Sequence, residues 1–482
     1  MTLNASSQST NSQIKTLDDY ISEAIVKWNP PGLAVTVVKD GEVVFTKGYG
    51  VRTLGTNSNV DNNTLFACAS TTKAFIAAGI AMLVDDGKLT WDDKVINHLP
   101  EFQLYDPYVT RELTVRDLLT HRSGVGNTDY LWSLMTISGD SALHKMREVK
   151  PSYSLRSSYI YQNLMYLAAG KIIEAVSHKS WDSFLKERIY NPLNMNNTYA
   201  MYKNVIDIEN KADAHYKIDD KITKIDQMVA DNIGPAGSMW SSVNDMGKWI
   251  KFLLNDGIKD KDTLIKPNTF RELFTPQQII PKGQFYPTTK VTKPNWTTYG
   301  LGWFQHDYRG KMVQFHTGSL AGMVAIAGMI PEENIGVYVM GNLDHVELRH
   351  AIMYTVFDLL MDGKITSDWS TELYNLYNSE KETPEEPKPI ENTKPTLAEV
   401  NFIGSYHHDI YGTVDILKSE NGFTFNLNNT LFGKLNHWHY DTYQAFFDKK
   451  EYGKTMLTFR MGVDGKISHL DLFGDQFYLT NN

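Results

Sequence analysis

Cysteine is nearly absent: Cys68 is the only one in 482 residues. A single thiol excludes an intrachain disulfide framework and a multi-cysteine metal site, so the fold need not depend on an oxidising compartment. Long apolar runs are lacking too. No stretch could span a bilayer, and the first thirty residues hold no signal-peptide core. They are rich in Ser, Thr and Asn, then become amphipathic around Leu17, Ile21 and Ile25. With Met1 at the start, these absences set the expectation of a cytoplasmic protein with no membrane partner. Nor is there an excess of cations. Lys and Arg number 47 against 56 Asp and Glu, a net charge of −9. This disfavours nucleic acid and anionic lipid, since both need clustered positive charge. No solenoid-type repeat is present.

What the chain has in quantity is core material, with 42% hydrophobic and 12% aromatic residues. Its length suggests about two or three structural units. Leu33–Val38 and the run from Gly41 to Thr46 are β-rich, and Asp40-Gly41 between them predicts a hairpin turn. Thr71–Val84 has the pattern of an apolar helix, stopped at Gly87. Helical patterns run from about Val115 to Tyr190. After Ile233 come Gly-rich turns, then strands at Met312–Phe315, Ala325–Met329 and Ile335–Met340, and an apolar helix near Leu348–Leu360. The charged, proline-rich segment from Lys381 to Pro389 can neither bury a core nor continue a helix. Beyond it, Phe423–Leu427, Thr455–Arg460 and Ile467–Leu472 are separated by Gly turns, predicting a small antiparallel barrel or sandwich.

The chemistry-bearing pattern begins with Ser70-Thr71-Thr72-Lys73. On a helix, positions i and i+3 share a face, so the amine can reach the hydroxyl. The helix N-terminus adds N–H groups and a positive dipole end for a developing oxyanion. Alone, this pattern is equally that of a helix start with a capping serine and a solvated lysine. Two further elements follow in order: Tyr161-Gln162-Asn163, and His316-Thr317-Gly318 with Ser319 at a strand end. Around them stand the phrases Leu118–Gly124 (including Thr120-His121-Arg122-Ser123), Gly234–Ser242 and Tyr299–Trp303.

In this order and spacing the chain resembles the class C β-lactamase-like serine hydrolases, a group that includes D-amino-acid peptidases, penicillin-binding carboxypeptidases and esterases. The resemblance covers residues 15–365. It implies an α+β fold, an antiparallel sheet flanked by helices with an all-helical subdomain. Tyr406, Tyr411-Gly412 and Leu435–Thr442 resemble the small lipocalin-like β-barrel often appended to such enzymes. The expected plan is a disordered 1–14, the hydrolase domain at 15–365, a linker at 366–398 and the barrel at 399–482.

The resemblance implies an acyl-enzyme route with Ser70 as nucleophile and Lys73 and Tyr161 handling its proton. A serine hydroxyl needs a base within hydrogen-bond reach. Both candidates have ordinary pKa values near 10, so holding either deprotonated at neutral pH needs about 4 kcal/mol of bias. Which one takes the proton stays open. By the same analogy, the N–H groups of Ser70 and Ser319 form the oxyanion hole, Asn163 holds the substrate amide and steadies Lys73, and Thr317 and Gly318 line the cleft. His121 and Arg122 are read as mainly structural.

His316 departs from the lactamase form, which carries lysine there. Histidine is mostly neutral near pH 7, which weakens recognition of a substrate carboxylate. Ester or small-peptide hydrolysis therefore ranks above β-lactam hydrolysis, and activity is expected to fall in acid as an enzyme group titrates. The alternatives are a β-lactamase or penicillin-binding carboxypeptidase, and a non-catalytic binding or assembly protein on the same fold. Nothing in the sequence calls for a metal or organic cofactor. His437-x-His439 lacks a third ligand, and Cys68 is expected to be buried. Trp240, Trp303 and Tyr299 are read as core rather than binding residues. The barrel's role is open between shaping the cleft, serving a neighbouring subunit and joining copies into a homo-oligomer.

Overall fold

The computed structural model describes residues 2–379, 388–420 and 422–480, with side chains from residue 12 onward. The chain divides into two compact units. One comprises residues 1–127 and 150–382, the other residues 128–149 and 383–482.

The first unit is built on an eight-stranded antiparallel sheet. Its strands are β1 (Gly32–Lys39), β2 (Glu42–Gly50), β3 (Gln278–Ile279), β4 (Thr297–Tyr299), β5 (Phe304–Tyr308), β6 (Lys311–Leu320), β7 (Met323–Ile330) and β8 (Ile335–Gly341). They lie in the order β2-β1-β8-β7-β6-β5-β4-β3. The predicted hairpin is present. Asp40 and Gly41 both have positive φ, 52° and 77°, as its tight turn requires. The central strands β1, β7 and β8 are buried almost end to end, because helices cover both faces. On one face, helix α1 (Thr2–Trp28) sets Leu17 and Ile21 among Leu348, Ile352 and Val356 of the helix spanning Leu348–Asp362.

Helix α2 (Thr72–Asp85) is apolar all round and is buried from Thr72 to Leu83, as a helix without a polar face must be. It packs with α3 (Asn163–Ser177), which starts at the Y-x-N element. Phe75 of α2 stacks on Trp249 with ring centroids 4.0 Å apart. Trp240 and Trp303 are buried core residues. No helix among the described residues is long and apolar enough to cross a membrane.

Two expected boundaries move. Residues 2–14, expected to be disordered, belong to α1. No Gly or Pro interrupts the chain before Pro30, so the helix that docks Leu17 and Ile21 extends backwards, and Gln13 Nε2 donates to Leu359 O at 2.8 Å. The stretch 366–398, expected as linker, begins instead with a helix at Trp369–Ser379. There Trp369 and Leu373 join the sheet's core cluster, and Trp369 Nε1 donates to the buried Asp358 at 2.8 Å. Most of the proline-rich segment, residues 381–387, lies outside the described residues.

The second unit holds a closed eight-stranded antiparallel barrel from Gly404 to Leu479. Strand alternation turns Phe423, Phe425, Tyr443, Leu457 and Phe459 inward with Phe402 and Tyr406, so its interior is a packed aromatic core. Residues 128–149, which pattern alone grouped with the helical insert, are held by the barrel. Leu134 is buried in its core cluster, Tyr130 packs on Phe473 at 4.9 Å, and Lys145 Nζ donates to Asp409 O. Helical periodicity shows that such residues are buried but not which core receives them. At His437 and His439 a bulge interrupts strand register, and the His437 ring bonds Tyr440 O at 2.8 Å.

Candidate functional site

Ser70 lies on a single 3₁₀ turn, Ala69–Thr71, that runs into α2. The turn is pinned by side chains: Thr71 Oγ1 donates to Cys68 O at 2.8 Å and Thr72 Oγ1 to Ala69 O at 2.6 Å. Ala69 is held at φ 47°, a left-handed conformation costly for a residue with a Cβ. Beside this turn passes the end of β6, at backbone contact. A Cβ on Gly318 would lie 2.1 Å from Cys68 O and 3.0 Å from Ser70 N. Only glycine lets the third motif approach the serine this closely.

One helical turn beyond Ser70, Lys73 is fully buried. Its Nζ lies 3.1 Å from Ser70 Oγ, 2.7 Å from Asn163 Oδ1 and 2.7 Å from Ala236 O. The ammonium also faces the rings of Tyr161 and Tyr166, with centroids at 4.8 and 5.4 Å. Asn163 can serve here because it is the first residue of α3, fixed by Gln162, whose Oε1 accepts from Leu164 N at 3.0 Å. The Gly234–Ser242 phrase contributes the Ala236 carbonyl. The three motifs of the sequence therefore come together.

His316 sits in the same cluster, buried, with its ring centroid 6.4 Å from that of Tyr161. Its Nδ1–H donates to Thr317 O at 2.6 Å and its Nε2 accepts from the Tyr299 hydroxyl at 2.9 Å. Both partners suit a neutral ring. Burial, then the charge of Lys73, hold its pKa down to about 3. The sequence reading treated this histidine as having an ordinary pKa. Its surroundings move its titration far into acid. Thr317 Oγ1 shares a hydrogen bond with Tyr286 Oη at 2.5 Å, and burial raises the Tyr286 phenol to about 12.

Sequence reasoning missed what lies behind the strand. Arg349 Nη1 donates to Gly318 O at 2.5 Å, Ser319 Oγ at 3.0 Å and Ala325 O at 3.1 Å. Its other nitrogens form a bidentate pair with Glu347 at 3.0 Å each, and His350 Nδ1 donates to the same carboxylate at 2.9 Å. The charge of Arg349 keeps the buried Glu347 carboxyl well below its usual range against the opposing effect of burial. Glu347 and Arg349 at a helix start were the only signal, and such charges look the same on a solvated face. Tyr299, read as core, is buried but places its hydroxyl on His316. Cys68 is buried, and that burial pushes its thiol up to about 12, unsuited to nucleophilic chemistry.

The neutral buried histidines predict acid sensitivity. Desolvation lowers His306 to about 4 and His316 to about 3, whereas both titrate near 6.5 when unfolded. Between about pH 4 and 6.5 the unfolded chain binds more protons, so stability present above that window is lost as pH falls, at about 1.4 kcal/mol per pH unit for each ring. Calorimetry should show Tm falling steeply from pH 6.5 towards 4. A Tm unchanged over that span would mean that the rings protonate as readily folded as unfolded.

A family model described as Beta-lactamase matches residues 17–358, and a second, a domain of unknown function (DUF3471), matches residues 388–480. Unguisins hydrolase ungD of Aspergillus violaceofuscus is 28% identical over 438 residues, 82% of this chain and 75% of that protein. Protein flp of Staphylococcus aureus is 26% identical over 351 residues, 70% of this chain and 64% of its own length. The octameric penicillin-binding protein homologue from Pyrococcus abyssi is similar in structure, with a TM-score of 0.65, 21% identity, and coverage of 97% of this chain and 99% of that one. SurE gives 0.57 at 17% identity, with 98% and 100% covered. These structures share the fold. With its family match spanning most of the length and carrying all three motifs, the chain belongs to the Beta-lactamase family.

Proposed function

We propose that the protein is a serine hydrolase that cleaves esters or small peptides and amides through an acyl-enzyme on Ser70. One observation carries this reading: Lys73 Nζ bonded at once to Ser70 Oγ, Asn163 Oδ1 and Ala236 O. Asn163 Oδ1 and the Ala236 carbonyl can only accept. As an ammonium, Lys73 donates to all three. As a neutral amine it still donates to those two and turns its lone pair to the Ser70 hydroxyl proton. The same pocket thus suits lysine before and after proton transfer, with no side-chain movement. Tyr161, whose ring lies against Nζ, is the second proton carrier.

In this mechanism the Ser70 proton passes to the Lys73–Tyr161 pair as Oγ bonds to the substrate carbonyl carbon. The tetrahedral oxyanion is held by the N–H groups of Ser70 and Ser319. The C–O or C–N bond breaks, and the leaving group departs with the proton. Water then attacks the acyl-enzyme by the same route in reverse, freeing the acid and Ser70. Asn163 holds the substrate amide, and Thr317 lines the cleft.

The third motif favours substrates without a carboxylate beside the scissile bond. His316 is neutral, and the guanidinium of Arg349 is already paired with Glu347. A relative named as a hydrolase supports bond cleavage rather than binding alone. The test uses activated esters, matched peptides with free and amidated C-termini, and penicillin, followed by turnover and intact mass. Expected is an acyl adduct on Ser70 and preference for esters or amidated peptides by about tenfold or more, the scale of one lost charge pair. Preference for penicillin or free acids would transfer the protein to the lactamase or carboxypeptidase reading. Silence of the whole panel, with no labelling by a fluorophosphonate, would favour a binding protein.

A further inference from the structure

We propose that His121 is the positioning residue of Tyr161, a role that rests on Tyr161 being a proton carrier. The residue grips the tyrosine from three directions. Its carbonyl accepts from Ile160 N at 2.9 Å, and its Nδ1 accepts from Gln162 N at 3.1 Å. Between these two anchors, its ring lies on the Tyr161 ring with centroids 4.2 Å apart and planes tilted by 33°. The residues on either side of Tyr161 and its aromatic face are all held by one residue.

Few side chains could do this. Phenylalanine would stack but could not accept, and asparagine would accept at the δ position but could not cover the ring. The backbone adds a further demand, because His121 has φ 55°, a left-handed conformation in which His and Asn are enriched. Because Nδ1 accepts, the neutral ring carries its proton on Nε2, and that buried atom has no hydrogen-bond partner among the described residues. Tyr159, Tyr166 and Tyr299 surround the ring at centroid distances of 5.8, 5.3 and 4.9 Å. A bare N–H among aromatic rings costs free energy, which a residue serving only to fill the core would avoid. The unusual placement is accounted for by what Nδ1 and the ring face hold.

The flanking loops are locked to match. Asp117, fully buried, accepts from Arg122 Nε at 2.6 Å and from Arg156 Nη2 at 2.6 Å. Arg156 N donates to Arg122 O at 2.8 Å, and Gln162 Nε2 donates to Gly126 O at 2.5 Å. The loop after His121 and the segment leading to Tyr161 are thus tied together, so a shift of His121 is transmitted to the tyrosine.

The experiment is a double-mutant cycle. His121→Phe keeps the stacking and loses the acceptor. His121→Asn keeps an acceptor and tolerates the left-handed backbone. Tyr161→Phe removes the proton carrier. His121→Phe should lower kcat by about 10–100-fold with KM nearly unchanged, the scale of a sub-ångström misplacement, while His121→Asn should recover most of the loss. In the Tyr161→Phe background, His121→Phe should cost almost nothing more. An equal loss in both backgrounds, or a loss that appears in KM alone, would overturn the positioning role. Full activity in Tyr161→Phe would instead overturn the role of Tyr161 itself. If His121→Phe does not fold, His121→Ala, which removes both the acceptor and the ring, takes its place: a drop in kcat that the Tyr161→Phe background removes sustains the proposal, and a parental kcat overturns it. So does a drop that persists in that background.

Discussion

Ser70→Ala should eliminate acyl-adduct formation and lower turnover by about 10⁴-fold or more, the range seen when a catalytic nucleophile is removed. Lys73→Met should cost nearly as much. The methionine matches the aliphatic stem but removes the nitrogen that joins Ser70 Oγ, Asn163 Oδ1 and Ala236 O. Because the two residues act as one unit, Ser70→Ala/Lys73→Met should be no worse than the worse single variant. Steady-state kinetics and intact mass on the three proteins check this. Multiplying effects would mean that the two residues act independently, and a Ser70→Ala protein that still turns over at parental rate would remove Ser70 from the reaction.

Glu347→Ala carries the second large effect, and here stability and activity should separate. The carboxylate and Arg349 are both buried, so deleting one leaves a guanidinium uncompensated. Breaking such a pair costs about 3–5 kcal/mol, which should lower Tm by roughly 10 °C. Glu347→Ala/Arg349→Met replaces the pair by apolar groups and should regain much of that stability. Activity should not return with it. Arg349 Nη1 also holds Gly318 O and Ser319 Oγ, the residues set against the Ser70 turn. A double variant that recovers both Tm and turnover would make the pair purely structural. In the parent, the Glu347 carboxyl lies well below its usual range, so its contribution is present above the ordinary carboxylate pKa of about 4.3 and is lost only below it.

The residues of the candidate site were legible in the sequence as three short local patterns. Ser70 and Lys73 share a helical face by spacing alone, whereas the helix that starts at Asn163 emerged only in the structure. The hairpin turn at Asp40-Gly41, the strands Met312–Phe315, Ala325–Met329 and Ile335–Met340, and the strand Ile467–Leu472 follow from turn residues and alternation. The state of His316 was not legible. Its type predicts an ordinary imidazole, whereas its pKa is set by burial and by the charges of Lys73 and Arg349, which are far away in the chain. Arg349 and Glu347 were missed for the same reason, since sequence distinguishes a buried pair from a solvated one only through its neighbours.

The sequence by itself determined which chemistry-bearing residues exist, that Ser70 stands at a helix start and His316 near a strand end, and that a β-rich unit follows a mixed one. Those are properties of short windows, governed by backbone preference and periodicity. Tertiary structure alone decided that 128–149 clusters with the barrel, that the helix Trp369–Ser379 seals the sheet's core, and that His121 closes around Tyr161. Each joins residues tens to hundreds of positions apart, and burial, which sets both packing partners and proton affinity, exists only once the chain has folded.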